Sequence, residues 1–284
     1  MSVLELRHLT HVYSDGTPFR RVALDDISLA VEPGETVALI GATGSGKSTL
    51  VQHLNAILKP TSGVVLFRGE DIWSKSFSRT RLRFDVGLVM QYPEYQLFEE
   101  TVYRDIAFGP RNMGLSEDEV DARVRESMRL VGLPEEKADR SPFDLSGGER
   151  RRAAIAGVMA MRPSVIVFDE PTAGLDPRGR DELIGEICRY REACGGTVVV
   201  VSHSMEEVAK FADRVFVMDH GRLAMSGTRD DVFSRGAELL NMGLDIPQIT
   251  KVFLNLKQRG YDVDTSVYTV SRAVEVLEGG CPRG

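Results

Sequence analysis

The chain has 284 residues, 42% apolar and 27% charged, with a net charge of −7. That is enough apolar material for the core of one large domain, or one domain with a small appendage. The acidic balance offers no global attraction for nucleic acid, and no apolar run approaches the roughly 18 residues that cross a bilayer.

The first forty residues read as strands. "VLELRHLTHVY" and "VALDDISLAVE" mix alternation with β-branched residues, and "ETVALI" runs into a glycine. A helix is expected from about 47 to 58, stopped by Pro60. "SGVVLFRG" and "VGLVM" read as further strands. Residues 101–132 have a helical pattern, with Ser116 as N-cap and Glu119 three residues on. Then come "SVIVFDE", a helix from about 178 to 192, "TVVVVSH", a helix near 205–211 and "RVFVMD". The runs around Val165 and Val198 are apolar on both faces, as buried parallel strands are. Strand and helix in turn argue for an α/β core. Near the C-terminus, Ile249, Val252, Phe253 and Leu256 form one helical stripe, and Val270, Val274 and Leu277 a second. Two such short helices do not fold alone and must pack on the main domain or on a partner.

The first chemical motif is "GATGSGKST", residues 41–49. Gly41, Gly46, Lys47 and Ser48 fit the P-loop pattern, with Ala42, Thr43, Gly44, Ser45 and Thr49 completing the loop. Its glycines let successive N–H groups turn toward phosphate oxygens, and the following helix adds a positive end. Lys47 supplies a mobile charge for the outer phosphates, and Ser48 a hydroxyl for Mg²⁺. The dinucleotide fingerprint fails, because Thr49 stands where its third glycine belongs. "VIVFDE" brings Asp169, placed to hold the metal, and Glu170, placed to polarise water. His203 ends the next strand. Ligands gather at the carboxyl ends of parallel strands, where Gly41, Asp169 and His203 all fall.

The stretch "LSGGERRRAAIAG", residues 145–157, lies between the P-loop and "VIVFDEP". Ser146, Gly147 and Gly148 at a helix start offer a hydroxyl and open N–H groups, an anion site in their own right. The stretch resembles the signature motif of ABC ATPases, and the likeness covers about residues 1–235 with every motif in the family's order. It implies an α/β P-loop fold: a mainly parallel sheet, an antiparallel β subdomain, an inserted helical subdomain at about 92–162, and an appended helical region at 236–284. It implies that Tyr13 stacks on adenine, although Phe19 and Phe67 compete for that role on residue type alone. It makes Gln91 the Q-loop glutamine that senses metal and water, Ala173 to Asp176 the D-loop, and His203 the switch histidine. Lys47, Gln91, Glu170 and His203 are then the catalytic set, Ser48, Gln91 and Asp169 the Mg²⁺ set. Glu149 replaces a more usual glutamine, and Gly174 a common alanine. ATP is expected between the P-loop of one subunit and Ser146, Gly147, Gly148 and Glu149 of the next.

"QYPEYQLFEETVYRDIAFGPRNMGLS", residues 91–116, is similar to the energy-coupling factor transporter ATPases, which drive uptake of vitamins and transition-metal ions. That resemblance implies a second ATPase subunit, either a similar chain in a heterodimer or a second copy. It also implies a membrane T subunit docked on residues 91–98, a substrate-binding S component reached indirectly, no nucleic acid, and a peripheral place on the cytoplasmic face of the membrane. Tyr92, Tyr95, Leu97 and Phe98 can anchor a docked helix; alternatively, Leu97 and Phe98 plug the joint between core and helical subdomain. A soluble ABC-type ATPase acting on nucleic acid or ribosomes is the competing reading, but such proteins carry a long coiled coil or tandem cassettes, and this chain has neither. A non-hydrolysing scaffold sits poorly with an intact Lys47, Asp169, Glu170 and His203. The basic runs Arg79, Arg81, Arg83 and Arg150 to Arg152 read as solvated or ion-paired faces. Cys188, Cys194 and Cys281 show no metal-like pairing and imply a reducing compartment. "MSVLELRHLT" lacks the pattern of a secretory leader.

Overall fold

The structure, a computed structural model, describes residues 1–280; Cys281 lies outside them. β1 (Leu4–Tyr13) and β2 (Arg21–Val31) pair antiparallel. β3 (Thr36–Gly41) is buried at every position and feeds α1 (Lys47–Leu54). β4 (Ser62–Phe67) returns to β1, and the short β5 (Glu70–Asp71) completes an antiparallel sheet ordered β2-β1-β4-β5. α2 (Arg79–Asp85) leads into β6 (Val86–Val89). The inserted helices α3 (Val102–Asn112), α4 (Glu117–Leu130) and α5 (Gly147–Met159) follow.

Strand and helix then alternate through β7 (Val165–Asp169), α6 (Pro177–Cys194), β8 (Thr197–Val201), α7 (Met205–Phe211) and β9 (Arg214–Asp219). β10 (Arg222–Thr228) folds back antiparallel on β9, and α8 (Arg229–Phe233), α9 (Gly236–Asn241), α10 (Gln248–Gln258) and α11 (Val270–Gly280) close the chain. The second sheet runs β10-β9-β3-β8-β7-β6, and all its pairs but the β10 edge are parallel.

The two-residue period of the buried strands divides the core. Val165, Val167, Val199 and Val201 face α1 and the antiparallel sheet. Ile166, Phe168, Val198 and Val200 face the inserted helices and α6. A strand buried on both faces keeps its polar chemistry at its ends.

The expected elements are present, with shifted ends. α1 stops at Leu54, four residues before the expected 58. Ala56 turns left-handed at φ +55°, and the N–H groups of Ile57 and Leu58 close on the Gln52 carbonyl. The helical pattern of 101–132 is two helices, parted where Gly114 takes φ +79°. Ser116 and Glu119 form a reciprocal capping box at the second. The short α2, α8, α9 and β10 carry no long period and were not anticipated.

Leu239, Leu244 and Ile246 pack with Ala38 and Ile40 of β3, so the chain beyond β10 stays on the main core as far as Ile246. A small separate cluster then forms around Phe253, Val267 and Ala273. The second stripe faces outward: Val270, Val274 and Leu277 are 70%, 46% and 50% exposed.

Phe253→Ala should remove about 3–5 kcal/mol from that small cluster. Hydrogen exchange should then lose protection in α10 and α11 and keep it in β3, β7 and β8. A uniform loss would mean the C-terminal helices do not open as their own unit.

Candidate functional site

The carboxyl ends of β3, β7 and β8 meet at a cavity of about 380 Å³. Its floor is the loop from Gly41 to Lys47, and the backbone there demands glycine. A Cβ on Gly41 would lie 2.4 Å from the Met218 carbonyl oxygen, and one on Gly46 2.6 Å from that of Ala23. Gly46, at φ +104°, precedes the first turn of α1, whose free N–H groups open toward the cavity. Thr43, Gly44, Ser48 and Thr49 line it, while Ser45 is buried beneath.

Lys47 is only 6% exposed. Its Nζ donates to the carbonyls of Gly41 at 2.7 Å and Ala42 at 2.9 Å, the resting partners of a cation that phosphate oxygens would recruit. Burial pulls its pKa down, against the fields of Glu170 and Asp169. Asp169 is also buried, and burial pushes its pKa up. Its one side-chain bond is a long one, from the Ser48 hydroxyl at 3.4 Å. An under-compensated carboxylate beside a hydroxyl fits Mg²⁺, which takes one or two protein oxygens and fills its remaining positions with phosphate and water. Among the described residues no cluster of three His, Cys, Asp or Glu side chains forms a self-sufficient metal cage.

Glu170 follows at φ +51°, a strained value for a non-glycine residue, with its N–H bonded to the Val201 carbonyl. That turn sends its carboxylate into the cavity. Gln91 Nε2 donates to Oε2 at 2.9 Å, and His203 Nδ1 lies 3.2 Å from Oε1. Two residues from neighbouring strand ends thus converge on the carboxylate of a third.

Of the three candidate aromatics, Tyr13 lines the cavity, Phe67 is buried in the core, and Phe19 is 83% exposed outside it. The Tyr13 hydroxyl sits 3.3 Å from Thr49 Oγ1, and its ring meets His11 edge-on at 4.5 Å. His11 Nδ1 in turn lies 3.2 Å from Nε2 of the buried His53, whose Nδ1 is 2.7 Å from the Thr49 carbonyl. Only a protonated Nδ1 can serve that carbonyl, so His53 Nε2 is the acceptor for His11. Sequence reasoning missed this brace, and it missed Arg21 and Ala23, which also line the cavity. The signal for Arg21 is register alone: it is the cross-strand partner of Tyr13.

The signature residues lie elsewhere. Ser146 caps α5 and exchanges bonds with Glu149: its hydroxyl accepts from the Glu149 N–H at 3.3 Å, and Glu149 Oε2 accepts from the Ser146 N–H at 2.9 Å. Lys137 at 2.9 Å, together with the Ser146 bonds, holds the Glu149 pKa down to about 2. Gly147 and Gly148 have nothing within 4 Å of a built Cβ. None of these four residues lines the cavity of the P-loop. The P-loop and the Ser146 turn therefore line no common cavity in the single chain.

The segment after Gln91 divides. Leu97 packs against the helical core, whereas Tyr95 is 82% and Phe98 61% exposed. Phe98 meets Phe108 edge-on at 5.0 Å beside a groove of about 290 Å³. The plug reading thus describes Leu97 and not Phe98. Of the basic runs, Arg152 is ion-paired to Glu182 and Glu186, and Arg83 reaches the Ala56 carbonyl.

The ABC transporter family profile matches residues 24–173. The chain is 50% identical over 275 residues to the energy-coupling factor transporter ATP-binding protein EcfA2 of Clostridium tetani, covering 96% of each. It is also 50% identical over 279 residues to the EcfA2 of Clostridioides difficile, covering 98% of this chain and 96% of that one. The chain belongs to the ABC transporter family, among its energy-coupling factor ATP-binding proteins. A solved structure of cbiO1 from Clostridium perfringens, described as part of the ABC transporter complex cbiONQ, has TM-score 0.75 and 35% identity across 98% of this chain and 99% of that one. A dimeric ATP-binding cassette, MJ0796, bound to ADP and Pi, has TM-score 0.71 and 28% identity across 80% of this chain and 98% of that one. The fold of this ABC ATPase is the expected one: a largely parallel sheet, an antiparallel sheet, an inserted helical block and appended C-terminal helices.

Burial lowers the His53 pKa from 6.5 to about 4. The folded state disfavours the proton, so stability is full above about pH 6.5 and falls as pH drops toward 4, by about 3 kcal/mol. Thermal melts across that window should show the slope in the wild type, and His53→Leu should flatten it. An unchanged slope would assign the acid sensitivity to other groups.

Proposed function

We propose that this chain is the ATP-binding and ATP-hydrolysing subunit of an energy-coupling factor importer. It powers uptake of vitamins or transition-metal ions through a membrane T subunit and a substrate-binding S component. The observation that carries the reading is the pair of separated anion loops on one chain. Each is a half-site, and a second ATPase subunit completes both. We favour a heterodimer of two similar ATPases, with a homodimer as the other outcome. The outward stripe of Val270, Val274 and Leu277 supports a dimerisation role for the C-terminal helices.

ATP binds with adenine on Tyr13 and its phosphates over residues 41–49. Lys47 leaves its loop carbonyls for the outer phosphates, and the amino end of α1 adds its N–H groups. Ser48 and Asp169, with Gln91 nearby, would hold Mg²⁺, which when bound would offset the negative charge of the phosphates. Glu170 accepts the proton of the attacking water, and Gln91 and His203 orient that carboxylate from either side. Ser146, Gly147 and Gly148 of this chain meet the nucleotide held by the second subunit. Glu149 places a carboxylate beside them where a neutral glutamine is more usual, which weakens the attraction for phosphate.

The groove beside Phe98 and Phe108 receives a helix of the T subunit, with Tyr95 as a further anchor. Among the described residues no helix is long and apolar enough to cross a membrane. Attachment at the cytoplasmic face therefore runs through this groove.

Glu170→Gln should keep ATP affinity and lower turnover on the order of 100-fold or more, trapping a closed dimer. Unchanged turnover would remove Glu170 from the catalytic role. Phe98→Ala should cut co-purification with the T subunit and leave ATP binding and melting temperature unchanged. A lowered melting temperature would instead place Phe98 in the core.

A further inference from the structure

We propose that Arg151 is a positioning residue that links the docking segment to the catalytic turn, so that ATP turnover is coupled to transport through one guanidinium. The inference rests on the importer reading above. Arg151 lies in α5, five residues after the signature serine, and is 6% exposed. Its Nε and Nη2 donate to the two carboxylate oxygens of Glu94, both at 3.1 Å. Its Nη1 donates to the carbonyls of Pro171 at 3.2 Å and Ala173 at 2.9 Å.

These partners come from two segments, and Arg151 itself adds a third. Glu94 lies in the 3-10 turn Pro93–Gln96, three residues beyond Gln91, and Tyr95 of that turn is 82% exposed. Pro171 and Ala173 follow Glu170 in its turn, and Arg151 itself belongs to the helix that presents Ser146 and Gly147. The planar fork of an arginine can serve two carboxylate oxygens and two carbonyls at once, whereas a lysine is a point donor. A buried cation must keep its acceptors, so displacement of either partner segment leaves guanidinium donors unmet. The arrangement therefore favours concerted movement over independent movement.

Backbone geometry marks where that movement is absorbed. Tyr92, at φ +56°, precedes the Glu94 turn; Glu170, at φ +51°, precedes Pro171; and Gly174, at φ +75°, follows Ala173. The Tyr92 ring lies 4.0 Å from where a Cβ on Gly174 would stand, so the two flanks are neighbours. A pull on Tyr95 reaches Pro171 and Ala173 through Glu94 and Arg151.

The test uses the full complex with its T and S components. Arg151→Met with Glu94→Leu removes the link without stranding a buried charge, and Glu94→Gln keeps size while removing the charge. Substrate import, ATP turnover, assembly and melting temperature are measured on each. Both variants should assemble, and import per ATP should fall about tenfold, with Arg151→Lys intermediate. A plain structural ion pair moves melting temperature and leaves import per ATP alone. Wild-type import per ATP in either assembled variant overturns the inference, as does loss of assembly in both. Failure of the wild-type complex to import overturns the importer reading itself, a separate result.

Discussion

β3, β7 and β8 are buried along both faces, and that constraint governs the rest of the molecule. A parallel strand covered above and below has no room for charge along its length. Its polar groups collect at the carboxyl end, where the chain turns out of the sheet. Gly41, Asp169 and, two residues past β8, His203 are those turns. Side-by-side pairing of β3, β8 and β7 then converts three distant stretches of sequence into one cavity. Position in the sheet, more than any single residue, makes the nucleotide site.

The charges in that site are held short of balance. Lys47 is buried on loop carbonyls, and Asp169 is buried with one long bond. Burial destabilises the ionised form of both. A divalent cation would supply what the acid lacks and a phosphate what the base lacks, so binding of either would relieve a desolvation penalty already present in the fold. His53, beneath Tyr13 and beside His11, shows the opposite solution: burial holds its pKa down to about 4, so this buried brace residue avoids charge.

The second incompleteness is geometric. The signature helix displays Ser146 and two open glycines, yet none lines the P-loop cavity. The C-terminal stripe and the aromatic segment around Phe98 likewise leave large apolar side chains exposed. Arg151 spans the short distance between one such surface and the turn of Glu170. What in isolation is an ordinary ion pair acquires meaning from the segments it joins.

Much of this was legible in the chain order. Loop chemistry is local: a P-loop needs its glycines and lysine within a few residues, and "VIVFDE" announces its own strand end. Capping boxes at Ser116 and Ser146 span three residues and were readable for the same reason. Helix ends such as Leu54 were less so, because the left-handed turn at Ala56 has no glycine to announce it. Sequence by itself determined the family, the reaction machinery and the alternation of strand and helix, all encoded in short spacing and period. Only tertiary structure decided that Tyr13 and not Phe67 lines the P-loop cavity. It also decided that Leu97 turns inward while Phe98 stays out, that Arg21 reaches the cavity, and that Arg151 leaves the basic run for a buried clamp. Those outcomes depend on which distant residues become neighbours when the sheets close, and no local spacing records that.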